Sequence, residues 1–186
     1  MPDHQETASL VFLILAGPLA FFIAWSDLRT MKIPTWSTDL LLGIFAVAGL
    51  FVLPFDVWAW RWLNFVVVFL IAIILFYTVR FGAGDGKYAA SMAPFIDPAH
   101  VIVVVYLYSA FLLAAFFTHR AMRAVPSVRR MTPEWTSWTR KDFPMGLAIS
   151  GTFLSYLFFT AFPAAYDALM FDFFPAVYEA IFRRSM

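Results

Sequence analysis

An all-α, polytopic membrane protein with six transmembrane helices, the fourth of them short, is the fold class this sequence predicts. Three observations carry that expectation. Of 186 residues, 62% are hydrophobic and 13% charged, where soluble globular domains carry about a quarter charged. The mean hydropathy is +0.78. The apolar residues also fall into runs of membrane-crossing length, set apart by short charged stretches.

A helix rising about 1.5 Å per residue needs about 20 apolar residues to cross the hydrocarbon. Runs at 7–26, 40–55, 62–79, 101–118 and 143–166 meet or approach that length without a charge. The second run extends back to 36–55, with Asp39 in its first turn, where an acid complements the helix dipole. The run 88–96 is short, and begins to resemble a span only if its helix starts near Ala83, giving 83–96. Residues 1–166 then form a single membrane-embedded domain. Beyond it, 167–186 spaces Phe174, Val177, Tyr178, Ile181 and Phe182 at helical intervals before Arg183 and Arg184, the pattern of a helix lying in the interface.

The basic side chains set the orientation, because cytoplasmic loops carry the Lys/Arg excess. Arg29 and Lys32 follow the first span, Arg80 and Lys87 flank the fourth segment's start, and six Lys/Arg side chains fill the loop 119–142. Asp56, Arg61 and Asp97 fall in the intervening loops. All three basic stretches share one side only if the short segment crosses. Both termini then lie outside, and the loop 119–142 rests on the anionic leaflet surface. The first span lacks the basic n-region and small-residue cleavage site of a signal peptide. Trp36, Trp58, Trp60, Trp62, Trp135 and Trp138 at segment ends read as interface anchors.

Several chemistries are excluded or disfavoured. With no cysteine there is no disulfide framework, thiol nucleophile, thiolate zinc site or iron–sulfur cluster. His4, His100 and His119 are dispersed, so no metal site is expected. No G-x-S-x-G motif and no Ser–His or Ser–Lys pairing at one depth supports a serine protease; Ser150, Thr152, Ser155 and Thr160 read as helix–helix contacts. The single basic cluster is short and flanked by spans, which argues against nucleic acid.

Ionisable groups at membrane depth are costly, by about 2.5–3.5 kcal/mol on insertion scales, and so point to function. Most acids here fall in loops, tails or, for Asp39, a helix start. Asp27 and Asp85 remain, each at the cytoplasmic end of its span, at one depth. Taken singly, Asp27 reads first as an interfacial acid paired with Arg29, and Asp85 has the same reading with Lys87 until its glycines are considered. Around Asp85, however, Gly82, Gly84 and Gly86 each give up about 1 kcal/mol of helix stability relative to Ala. Glycines at that density give a backbone free to turn and open to close approach by another chain.

The stretch Gly82-Ala83-Gly84-Asp85-Gly86-Lys87 resembles the G-x-G-D-x-K motif of the aspartic (type IV) prepilin peptidases. That family's other catalytic acid closes the first membrane helix ahead of Ile-Pro-Asn. Asp27, followed by Ile33-Pro34-Thr35, is similar, with Thr35 in place of Asn. Pro144-Met145-Gly146-Leu147-Ala148 resembles the family's Pro-x-Gly-x-Ala at the last span. The chain is most similar to the short TadV/CpaA-like branch, which lacks the methyltransferase domain; archaeal preflagellin peptidases share the two-Asp design. The resemblance implies a cytoplasmic-membrane endopeptidase of bacteria, with Asp27 and Asp85 catalytic. It gives supporting roles to Gly82, Gly84, Gly86, Lys87, Ile33, Pro34, Pro144 and Gly146. It implies no cofactor, no metal and no N-methylation, and assigns no oligomeric state. The implied partners are the bilayer and a prepilin or pseudopilin of the type IV or Flp type, with a hydrophobic N-terminal helix. Two other readings stay open: a small proton- or cation-coupled transporter subunit, and a non-catalytic pilus-assembly scaffold.

Overall fold

The computed structural model describes residues 4–168, which contain helices and no strand. The α-helices are α1 (His4–Thr30), α2 (Thr35–Val52), α3 (Phe55–Val79), α4 (Ala83–Met92), α5 (Val101–Ala124), α6 (Pro126–Met131), α7 (Met145–Ala161) and α8 (Pro163–Asp167). Single 3₁₀ turns occupy Ala93–Phe95, Pro98–His100 and Thr136–Trp138. Four segments are long and apolar enough to cross a membrane: His4–Thr30, Thr35–Val52, Phe55–Val79 and Pro98–Ala124. The chain is a membrane protein on that evidence. α4 and α7, with 10 and 17 residues, fall short of that length. The interfacial helix expected over 167–186 lies almost wholly outside the described residues.

Prolines move several boundaries from where hydropathy put them. Pro54 sits at the N-cap of α3, so the helix starts at Phe55 and takes in Asp56 and Arg61, expected in a loop. α5 runs past 118 to Ala124, because the helix continues once it meets water and stops only before Pro126. α7 ends at Ala161, one residue before Phe162-Pro163, short of the expected 166. Asp39 lies in the second turn of α2 and not its first, because α2 begins at Thr35 after Pro34.

α1 is the central helix. It packs along α7 and against α2, and α4 lies between α3 and α7. Small buried residues on α1, Ala8, Ser9, Ala16, Gly17, Ala20 and Ala24, allow that close approach. α3 is inside-out relative to a soluble helix. Arg61 is its one fully buried residue; Val57, Trp58 and Trp62 pack part-buried against the core, and large apolar side chains from Leu63 to Val79 face outward, where lipid is the solvent.

This arrangement explains how so short a helix as α4 is held. Its end runs into Phe95, which packs edge-on against Phe12, Phe45 and Phe153 at centroid distances of 4.9, 5.3 and 5.2 Å. The irregular backbone that follows needs hydrogen-bond partners, since lipid offers none. α3 supplies them: Asn64 donates to the Ile96 carbonyl at 2.9 Å, and buried Arg61 reaches the Phe95 carbonyl, Gln5 and Asp97. Asp97 in turn donates its N–H to the Tyr156 hydroxyl at 2.9 Å. Arg61 and Asp97 are therefore a packed ion pair, at 3.0 Å, rather than separate loop charges.

Candidate active site

At the other end of α1, the three motif patches meet. Asp27 lies in the last turn of α1, 5% exposed, and its Oδ2 accepts the Gly146 N–H at 2.8 Å. Gly146 is the second residue of α7, so the carboxylate of one helix caps the positive end of another. A side chain at Gly146 is not accommodated: a Cβ would stand 2.9 Å from Asp27 Oδ2 and 3.0 Å from its Cβ. Pro144, buried at the N-cap, has no N–H to satisfy there.

After Asp27 the chain turns sharply. Thr30 donates to the Ser26 carbonyl at 2.9 Å and Ser26 to the Lys32 carbonyl at 3.1 Å. Met31 takes a left-handed conformation, φ 55°, to close the turn. Ile33 is thereby brought against Gly84, whose notional Cβ would lie 3.6 Å from the Ile33 Cβ. Arg80, at φ 57°, ends α3 in the same left-handed way just before the glycine motif.

Asp85 sits in the first turn of α4, with its carboxylate folded back over Gly82, where a Cβ would overlap Oδ2. Gly86 seats α4 against α3; a Cβ there would come within 2.8 Å of the Ala72 Cβ. None of the three glycines has a positive φ. Of the two uses expected from the sequence, free turning and close approach, Gly82 and Gly86 serve the second. Gly84, with only ordinary contacts, is the one of the three with room for a methyl group.

Asp27 and Asp85 are brought to the same end of the bundle through the turn after α1, which lays Ile33 on Gly84, the residue before Asp85. Neither carboxylate pairs with a cation among the described residues. Arg29 bonds Glu134 at 2.8 Å and lies over the Trp25 ring. Lys87 bonds Asp39 at 2.8 Å. The simple pairing of each acid with its own neighbour, open on sequence grounds, is therefore not what forms.

The loop between α5 and α7 closes over this end. Trp138 is 5% exposed and stacks on His119 and Trp135, so it is a packed side chain rather than the interface anchor expected. A cleft of about 240 Å³ opens beside Asp27's helix end, lined by Trp25, Arg29, Glu134 and Trp135 among others. Sequence reasoning named Asp27, Asp85, the glycines, Ile33, Pro34, Pro144 and Gly146, and all gather here. It missed Glu134, and it gave Asp39 no link to Lys87.

A scan against family models matches residues 13–118 to the type IV leader peptidase family, a span that includes both Asp27 and Asp85 and ends before Pro144. No curated protein and no solved structure matches the chain. The match covers more than half of the chain, and the protein belongs to the type IV leader peptidase family.

Proposed function

We propose that this chain is a membrane aspartic endopeptidase that removes the leader from type IV or Flp-type prepilins at the cytoplasmic face, with Asp27 and Asp85 as its dyad. Family membership makes the chain a leader-peptidase-like protease. The observation that supports the finer reading is that two acids from distant segments stand at one end of the bundle, joined through Ile33 on Gly84, with neither paired to a cation among the described residues.

Two carboxylates in close contact share one proton. In this mechanism the ionised member takes a proton from a water held between them. The protonated member donates to the scissile carbonyl oxygen as the water oxygen bonds to the carbonyl carbon. The gem-diol intermediate collapses with cleavage of the C–N bond: the departing nitrogen takes the proton first drawn from water, and a diol hydroxyl returns its proton to the carboxylate that had acted as the acid, so the dyad again holds one proton. The Gly146 N–H, bonded to Asp27 Oδ2, orients one carboxylate through all these steps. An extended substrate approaches across Gly84, the least crowded of the motif glycines.

The reading includes six crossings, with α4 and α7 completing the four longer spans, in the cytoplasmic membrane and with both termini outside. Residues 1–166 act as one peptidase unit. It is supported by Arg29, Lys32, Lys87 and the basic loop gathering at the Asp27 end of the molecule.

Co-expression with an Flp-type prepilin tests it. Wild type converts the prepilin to its mature form. Asp27→Asn and Asp85→Asn, each inserted in the membrane at wild-type level, lose activity by about 10²-fold or more. The wild-type rate is bell-shaped in pH, since the dyad works only while it holds one proton. Full cleavage by both Asn variants rules out the dyad, and no cleavage by folded wild type of any prepilin favours a transport or scaffold role.

A further inference from the structure

Both candidate acids are followed two residues later by a cation, in Asp27-Leu28-Arg29 and Asp85-Gly86-Lys87. Each cation is bound, at 2.8 Å, by an acid from a different segment: Arg29 by Glu134 of the loop before α7, and Lys87 by Asp39 of α2. Residues at i and i+2 of a helix point to different sides, which starts the separation. Long, half-exposed Arg and Lys side chains are nevertheless free to swing back unless something holds them. Exposed ion pairs add little to stability, so two such pairs flanking one site have their main effect through charge.

We infer that Asp39 and Glu134 are positioning residues that hold Lys87 and Arg29 away from the Asp27/Asp85 pair, so that the pair keeps its shared proton at working pH. The inference rests on the dyad reading above. The charged and titratable groups at this end are these. α1 carries Arg29 and the turn after it Lys32; α4 carries Lys87 and the buried Tyr88, bonded to Ser150; α2 brings Asp39, and the loop before α7 brings Glu134, Lys141 and the Arg140–Asp142 pair. α5 presents Tyr108. α3 ends at exposed Arg80, and α7 carries no titratable group in its first two turns. Removing Asp39 or Glu134 deletes a negative charge and frees a positive one. Both changes favour the doubly ionised pair, so the sign is the same for each. The shared proton leaves at lower pH, and the alkaline limb of the rate profile moves down.

The test uses the full chain in detergent micelles and a prepilin that the wild type cleaves. Asp39→Asn and Glu134→Gln each move the alkaline limb to lower pH by about half a unit to one unit, the scale of one freed charge several ångströms away in partly wet surroundings, with KM unchanged. Asp39→Glu and Glu134→Asp keep the wild-type profile. Adding Lys87→Met to Asp39→Asn removes the freed cation and returns the limb toward its wild-type position, which a purely structural Asp39 would not do. Infrared titration of the protonated carboxyl band in the same proteins reads the shift without substrate. If activity is lost in Asp27→Asn and Asp85→Asn while both neutral variants keep the wild-type limb, the inference alone falls. If activity survives loss of both candidate acids, the inference and the dyad fall together.

Discussion

Gly146 and Gly84 separate two uses of glycine that look alike in sequence. Gly146 faces the Asp27 carboxylate so closely that a methyl group would displace it. Gly84 has only ordinary contacts, and Ala at a helical position gains about 1 kcal/mol over Gly. Gly146→Ala is therefore expected to insert normally and lose cleavage at least about tenfold, the cost of pushing one carboxylate off its geometry. Gly84→Ala is expected to melt at or above the wild-type temperature in micelles. Wild-type cleavage by Gly146→Ala would mean that the Asp27 carboxylate is not set by the start of α7. A stable Gly84→Ala that no longer cleaves would mark Gly84 as the point where substrate backbone passes.

At the scale of elements, the question is how α4, with 10 residues, is held among α2, α3 and α7, with 18, 25 and 17. Its far end is tied by Phe95 in the aromatic cluster and by donors from α3 to the backbone at 93–97. Arg61 is 2% exposed and Asp97 about a third, so the pair is part of the packing. Replacing Arg61 with Met leaves Asp97, the Phe95 carbonyl and the Gln5 side-chain oxygen without this donor and should cost about 2–4 kcal/mol. Adding Asp97→Asn should recover part of that loss, because the stranded charge goes too. Thermal unfolding in micelles measures both. If Arg61→Met melts with wild type, this cluster is not what holds the end of α4.

At the scale of the whole molecule, the crossing number is open to direct measurement because the chain has no cysteine of its own. Single cysteines at exposed Lys32 and Lys141 mark the Asp27 end, and one at exposed Asp56 marks the opposite end. In inverted membrane vesicles, an impermeant maleimide should label the first two and spare the third. Labelling of Lys32→Cys and Lys141→Cys from opposite sides would break the six-crossing arrangement and separate Asp27 from the start of α7.

What could be read from sequence follows the solvent. Apolar runs, charge placement and the two acids at helix ends are local properties, and the bilayer imposes them residue by residue. They predicted the helical membrane class, most of the helix positions, and Asp27 and Asp85, with Gly82 and Gly86 around the second, as residues to watch; Gly146 came from the resemblance of its motif alone. Hydropathy misread Arg61, because a charge on a helix that faces protein looks the same in sequence as a charge in a loop; it misplaced Asp56 and Asp39 because Pro54 and Pro34 set where α3 and α2 begin. It could not choose partners for Arg29 and Lys87, since Glu134 lies 105 positions from Arg29 and Asp39 is brought to Lys87 only by packing of α2 on α4. Those pairings depend on which helices touch, and in a membrane that depends on small residues, backbone hydrogen bonds and side-chain shape across helices. The sequence by itself determined the helical membrane class and which acids stand at helix ends; the tertiary structure decided which partners hold the charges beside those acids, because that depends on which helices touch.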